Sequence, residues 1–206
     1  MFESLRGRTP ISMDEDEYKK YAVMIPLVEK DGRIYVLFEV RAGSLRRQPG
    51  EICFPGGKRE KGETAEENAV RETAEELDID FSQVRVIAPM DYLLTMYDVR
   101  VDPVLGQLLD YEMTFSRDEV DEVFLVPLDY FMENDPEVYY NRIYVENPDD
   151  FPFDDVPGGR KYYWASGKKR VFFYYYEDRI IWGLTAYIMQ GAVKLLKETG
   201  YGKKDI

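Results

Sequence analysis

The chain has 206 residues, 45% of them hydrophobic, and a formal net charge of −13. That size suits one domain with a sizeable core, and the acidic balance argues against nonspecific binding to nucleic acid or to an anionic membrane. There is no histidine and a single cysteine, Cys53, which excludes histidine bases, histidine zinc ligands and an intrachain disulfide framework.

Residues 1–18 are polar and charged. They read as a loose arm or a short helix, without the apolar core of a signal peptide. Residues 21–28 (YAVMIPLV) predict a buried strand. Asp31-Gly32 is a turn signal, and residues 33–40 (RIYVLFEV) alternate as its hairpin partner. A basic loop follows over residues 41–50, then a short strand over residues 52–54, ending at Pro55-Gly56-Gly57. A helix is predicted over residues 64–77, with Thr64 and Glu67 in the form of a capping box. Its stripe of Val70, Thr73, Ala74 and Leu77 faces a sheet, roughly opposite its glutamates.

Strands are predicted over residues 84–92, 99–105 and 120–128, and one helical turn over residues 129–132. Aromatic strands follow over residues 139–145, 162–165 and 171–176. A terminal helix runs over residues 185–199, stopped by Gly200. Strands without βαβ alternation imply a single α+β domain over residues 1–206, with its core at about 19–199 and an arm at 1–18. No apolar run approaches the roughly 18 residues of a membrane span. The tail GKKDI matches no targeting signal. One cysteine fits a reducing compartment, taken as the cytoplasm.

The stretch over residues 57–79 (GKREKGETAEENAVRETAEELDI) is the most telling. Glu72, Glu75 and Glu76 stand at i, i+3 and i+4 and share one helix face. Their mutual repulsion is relieved by a hard cation, and oxygen-only ligands favour Mg²⁺ or Mn²⁺ over zinc. An acidic helix face alone is ordinary solvated surface. Here Gly57, Glu63, Arg71, Glu72, Glu75 and Glu76 all fall at fixed spacings, an agreement expected by chance about once in ten million start sites.

That spacing resembles the Nudix box, G-x5-E-x7-R-E-U-x-E-E-x-G-U, where U is a bulky apolar residue. The chain departs from it at Thr73, which replaces the first U, and at Asp78, which replaces the last glycine. Thr73 can pack half-buried, and Asp tolerates the left-handed turn better than most residues. The resemblance implies a Nudix fold: a mixed β-sheet sandwiched between helices, here with added aromatic strands before the C-terminal helix. It implies that Glu72 and Glu76 are the main metal ligands and that Glu75 is a further ligand or activates water. It further implies that Arg71 and Glu63 hold the glutamates in place, and that Gly56 or Gly57 offers a carbonyl to the metal.

Upstream, Arg41, Ala42, Arg46, Gly50 and Phe54-Pro55-Gly56-Gly57 fall at the spacing R-S/A-x3-R-x3-G-x3-FPGG. This resembles the signature of the coenzyme A diphosphatase branch of the Nudix family. The branch usually opens with LLT, where this chain has Leu37-Phe38-Glu39, so Glu39 is a departure. Residues 118–131 and 180–186 are similar to the branch as well. The resemblance implies hydrolysis of coenzyme A and its acyl derivatives to 3′,5′-ADP and 4′-phosphopantetheine. Arg41, Arg46 and Arg47 would supply forked donors to phosphate. The alternatives are a Nudix hydrolase of another nucleoside diphosphate derivative such as ADP-ribose, and a Nudix-fold protein that binds a nucleotide without cutting it.

Glu119 and Glu122, just before the apolar run over residues 124–128, are candidates for an additional base or ligand and equally for surface charges. Tyr139, Tyr140, Tyr162, Tyr163 and Trp164 could stack on adenine or line a pantetheine channel, but read more readily as strand core or dimer interface. A homodimer is compatible with these strands and not required by them. Cys53 reads as a small buried residue.

Overall fold

The structure is a computed structural model that describes residues 3, 6, 7 and 9–201. Asp31 and Gly32, both at positive φ (52° and 72°), turn the chain between β1 (Lys19–Lys30) and β2 (Arg33–Arg41). The resulting hairpin is antiparallel, with Val28 opposite Tyr35. On its other edge β1 runs parallel to β7 (Val99–Leu108), from Lys19 opposite Val99 to Val28 opposite Leu108.

This mixed sheet has eight strands. β3 (Ile52–Cys53) and β8 (Val120–Pro127) pair antiparallel with β2, and β4 (Gly56–Lys58) with β1. β5 (Val84–Pro89) and β6 (Leu93–Leu94) pair antiparallel with β7. A second sheet has three strands: β9 (Glu137–Ile143), β10 (Gly167–Tyr176) and β11 (Arg179–Trp182), with β10 in the middle.

Strand alternation divides the core between two faces. Ala22, Met24, Val28, Leu37, Val104 and Leu108 gather with Ala69 and Leu77 of α1 (Ala65–Leu77). Ile25, Val36, Phe38 and Leu105 point the other way. They gather with Phe131 of α2 (Leu128–Glu133), with Phe172 and Tyr174 of β10, and with Ile188 and Met189 of α3 (Gly183–Glu198). Phe38 stacks on Phe54 with ring centroids 4.9 Å apart. Each such buried side chain contributes on the order of 1.5–3 kcal/mol. Helices therefore flank the sheet on both sides, as expected.

Two expectations fail in the aromatic region. Residues 162–165 form no strand; a 3-10 turn at Gly159–Lys161 precedes them and the chain stays irregular to β10. Nor do the tyrosines there build the core. Tyr139, Tyr140, Tyr162 and Tyr163 are 52%, 60%, 44% and 86% exposed. The reason is topological. β9 lies at the edge of its sheet and nearly all of it is exposed, so Tyr139 and Tyr140 satisfy strand preference without burial, while Tyr162 and Tyr163 sit on the irregular segment before β10. Trp164 packs edge-on against Phe151 and Tyr162.

β4, β6 and β11 are too short to be read from periodicity, and β5 stops at Pro89 rather than residue 92. In the N-terminal arm, residues 1, 2, 4, 5 and 8 lie outside the described residues, as does the GKKDI tail. Residues 13–17 of the arm form turns, and Glu15 ties it to Lys20 and Arg100 at 2.8 and 3.1 Å. Among the described residues, no helix is long and apolar enough to cross a membrane.

Candidate active site

α1 begins where the capping box puts it. The Thr64 hydroxyl accepts from the Glu67 amide at 3.1 Å, and the Glu67 carboxylate accepts from the Thr64 amide at 2.8 Å. Such a cap is worth about 1 kcal/mol. The helix ends at Asp78, left-handed at φ 51° and ψ 54°, so Asp makes the turn expected of it. Thr73 is wholly buried rather than half-buried, because its hydroxyl donates to the Ala69 carbonyl at 2.6 Å and loses no partner by leaving water. Asn68, also wholly buried, stitches the helix to the sheet. It accepts from the Ala22 amide and donates to the Lys58 carbonyl and to Glu63 Oε2, all within 3.2 Å.

Arg71 is the hub of the acidic face. Its guanidinium reaches Glu63 at 2.8 Å, Glu72 at 2.9 Å and Glu75 at 3.0 Å. These bonds, that to Glu63 foremost, lift the Arg71 pKa. Glu63 in turn is held down to about 2, chiefly by its bond to Arg71 and then by the Glu60 amide. Arg71 thus orients three carboxylates while keeping its own charge.

The acidic face is partly interior. Glu75 is 56% exposed, but Glu72 is only 17% and Glu76 3%. Glu76 turns under the FPGG loop, where its Oε2 accepts from the Gly56 amide at 2.8 Å. Gly57 lies against Glu72; a Cβ there would overlap the Glu72 carboxyl group. A Cβ on Gly56, at φ 156°, would overlap the Ala22 carbonyl of β1. The two motif glycines therefore let the helix carboxylates and the sheet approach each other.

Another carboxylate joins them. Glu39 of β2 is wholly buried, and strand alternation puts it on the Leu37 side of the sheet, the side that α1 covers. Burial, and after it the Glu39 charge, raises the Glu76 pKa far above the usual carboxylate range. Burial likewise raises Glu39. Glu72 is raised too, by burial against the opposing pull of Arg71. Glu119, exposed just before β8, adds its negative field to Glu39, Glu72 and Glu76.

This donor set fits a hard divalent cation. Its members are carboxylates that disfavour one another's ionisation, and Glu39 Oε2 is buried with no hydrogen-bond partner among the described residues. Among the described residues, no three acidic, cysteine or histidine side chains close into a ready-made cage. Glu72 leans on Arg71 and Glu76 on the Gly56 amide.

The other sequence-derived residues fall in different places. Arg41 sends its positive field onto Glu39 and Cys53. Arg46 and Arg47 are exposed on the loop and take no acidic partner among the described residues. Glu122 is not directed at the acidic cluster. It forms a two-pronged ion pair with Arg179 at 2.7 and 2.8 Å, and Arg179 lies 4.8 Å above the Phe124 ring. Cys53 donates its thiol to Glu39 Oε1 at 3.2 Å, and burial pushes its pKa up, so it is no ready thiolate. A cavity of about 680 Å³ opens elsewhere, between α3, β9 and β10 and the segment over residues 90–93, and none of the acidic-cluster residues lines it.

In the sequence Glu39 stands out only as a departure from the signature, and Asn68 does not stand out. For Glu39 a signal existed: period-2 alternation from Leu37 already assigns it to the α1 face. Asn68 lies on a helix whose neighbours only the tertiary fold supplies.

The chain matches the NUDIX domain over residues 18–146. It is 40% identical over 134 residues, 64% of this chain, to a mouse (Mus musculus) protein named peroxisomal coenzyme A diphosphatase NUDT7. It is 31% identical over 196 residues, 92% of this chain, to Nudix hydrolase 15, mitochondrial, of Arabidopsis thaliana. The chain spans 56% and 63% of those two relatives' lengths. A MutT/nudix family protein from Enterococcus faecalis shares the fold, with a TM-score of 0.51 at 15% identity over 95% of this chain and 67% of that one.

Proposed function

The chain belongs to the Nudix family, and from that premise we propose that it is a metal-dependent diphosphatase acting on coenzyme A and its acyl derivatives. The observation that carries the proposal is Glu76 seated on the Gly56 amide of the FPGG loop, with Glu72 against Gly57 and tied to Arg71, and with buried Glu39 adding its charge to both. Glu72 and Glu76, with Glu75 and the Gly56 carbonyl, would hold Mg²⁺ or Mn²⁺. A cation bound there neutralises charge on the diphosphate and makes bound water a better nucleophile.

The protein's own groups do the rest. Arg71 keeps Glu63, Glu72 and Glu75 in fixed rotamers, so little reorganisation accompanies the reaction. Glu75 and Glu119 are the more exposed carboxylates, and either is accessible to take a proton from water. Arg41, Arg46 and Arg47 would bind the diphosphate and 3′-phosphate through forked donors. Products would be 3′,5′-ADP and 4′-phosphopantetheine. The name of the mouse relative supports this substrate class. The single cysteine supports a reducing compartment, for which we propose the cytoplasm; the mouse relative is named peroxisomal.

A panel of coenzyme A, acetyl-coenzyme A, ADP-ribose and a dinucleoside polyphosphate, assayed with Mg²⁺ and with Mn²⁺, tests the reading. Coenzyme A and its acyl ester should have the highest kcat/KM. A clear preference for ADP-ribose would move the chain to the alternative of a general nucleoside diphosphate hydrolase. No turnover of any member would favour a nucleotide-binding role.

A further inference from the structure

Glu39 is wholly buried, and only one of its two oxygens has a partner. Oε1 accepts from Cys53 Sγ at 3.2 Å, while Oε2 has none among the described residues. Its cross-strand neighbours are Cys53 on β3 and Val123 on β8, neither of them cationic. Arg41, two residues along β2, contributes positive field, but its Nε is likewise buried with no hydrogen-bond partner, so no such bond joins the two among the described residues. Glu72 and Glu76 belong to α1, which covers this side of the sheet, and with Glu119 they act on Glu39 as like charges.

An unpaired carboxylate in such a place is strongly unfavourable. A hydroxyl or an apolar side chain would serve the sheet better, unless the free oxygen meets a cation. We infer that Glu39 is a further ligand of the divalent cation centred on Glu76, so that β2 and α1 grip the cation from two sides. The inference rests on the metal-hydrolase reading of α1. It has a chemical consequence: an added carboxylate raises the affinity of an oxygen site for a hard dication, and a ligand on a central strand is more rigidly held than one on a loop.

Calorimetric titration of Mn²⁺ into metal-free protein tests it, with wild type, Glu39→Gln, Glu39→Thr and Glu76→Gln compared side by side. Thermal melting of each in chelator serves as a control. Glu39→Gln should weaken Mn²⁺ about tenfold or more, or remove one binding event. In chelator it should melt close to wild type, because the isosteric glutamine keeps the oxygen that accepts from the Cys53 thiol. If Glu39→Gln does not fold, Glu39→Thr carries the same expectation with a smaller side chain.

Wild-type affinity and stoichiometry in the Glu39 variants, with Mn²⁺ lost only in Glu76→Gln, would overturn the inference and leave the α1 centre standing. Unchanged Mn²⁺ binding in Glu76→Gln, or no Mn²⁺ binding by wild type, would instead remove the metal centre itself.

Discussion

The Gly56 amide donates to Glu76 Oε2 at 2.8 Å, so a loop amide fixes a helix carboxylate that is only 3% exposed. Loop and helix are thereby one device, since neither the FPGG turn nor the acidic helix places that oxygen alone. Glutamine at position 76 keeps an acceptor for the amide but loses the charge. Glu76→Gln should therefore fold and lower kcat/KM by two or more orders of magnitude, as expected when several kcal/mol of metal-borne stabilisation are lost. Steady-state kinetics with circular dichroism of the same sample checks this; near wild-type turnover would contradict the assignment.

The two glycines should fail in different ways. Gly56→Ala drives a Cβ into the Ala22 carbonyl and the Val23 backbone, which cannot yield without moving β1. We expect a loss of about 1–3 kcal/mol in urea unfolding. Gly57→Ala meets only the end of the Glu72 side chain. It should unfold much like wild type while turnover falls, because Glu72 must swing away. Equal stability losses in the two variants would contradict this division.

Much of this arrangement was legible in the sequence, for reasons that are local. The Thr64–Glu67 box, the Asp31-Gly32 turn and the left-handed Asp78 are decided by neighbours within a few residues, and all three appear as read. The box spacing likewise brought Glu63, Arg71, Glu72 and Glu75 together, because one helix and its preceding turn carry them all. What escaped depends on pairing between distant strands. Glu39 meets α1 only through the β2–β1–β4 arrangement. Glu122 meets Arg179 across 57 residues. The tyrosines of β9 have strand-forming side chains, and nothing local reveals that their strand is an uncovered edge.

The Arg71–Glu63 pair sets an acid limit on stability. The Glu63 pKa is lowered in the fold from 4.5 to about 2, so the folded state binds its proton less readily than the unfolded chain does. The stabilisation is present above the unfolded value and is lost as pH falls through the folded one. In urea unfolding followed from pH 7 downwards, wild type should exceed Glu63→Gln at neutral pH. The gap should close as pH falls from about 4.5 towards 2. A gap that stays constant over this range would show that the pair contributes through packing rather than charge.

Glu119 and Glu122 lie three residues apart and should behave oppositely. Glu119 adds its field to the buried carboxylates, whereas Glu122 is spent on Arg179. Glu119→Gln should lower turnover about tenfold or more, within the range of proton-transfer and metal-ligand effects. Glu122→Gln should leave turnover within about twofold and cost on the order of 1 kcal/mol or less of stability, as partly exposed pairs do. The reverse ranking would return Glu122 to the active centre.

The loop arginines bear on substrate choice. If Arg46 reads the 3′-phosphate, Arg46→Ala should raise KM for coenzyme A about tenfold, the worth of one charged hydrogen bond. The KM for 3′-dephospho-coenzyme A should scarcely change. Equal losses for both substrates would assign Arg46 to the diphosphate or to the surface.

The central claim is tested most directly by incubating the protein with coenzyme A and Mg²⁺ and weighing the products by mass spectrometry, with a chelator control. We predict 3′,5′-ADP and 4′-phosphopantetheine in equal amounts, and neither when the metal is chelated. Intact coenzyme A under conditions where ADP-ribose is cleaved would contradict the substrate, and undiminished cleavage in chelator would contradict the metal centre.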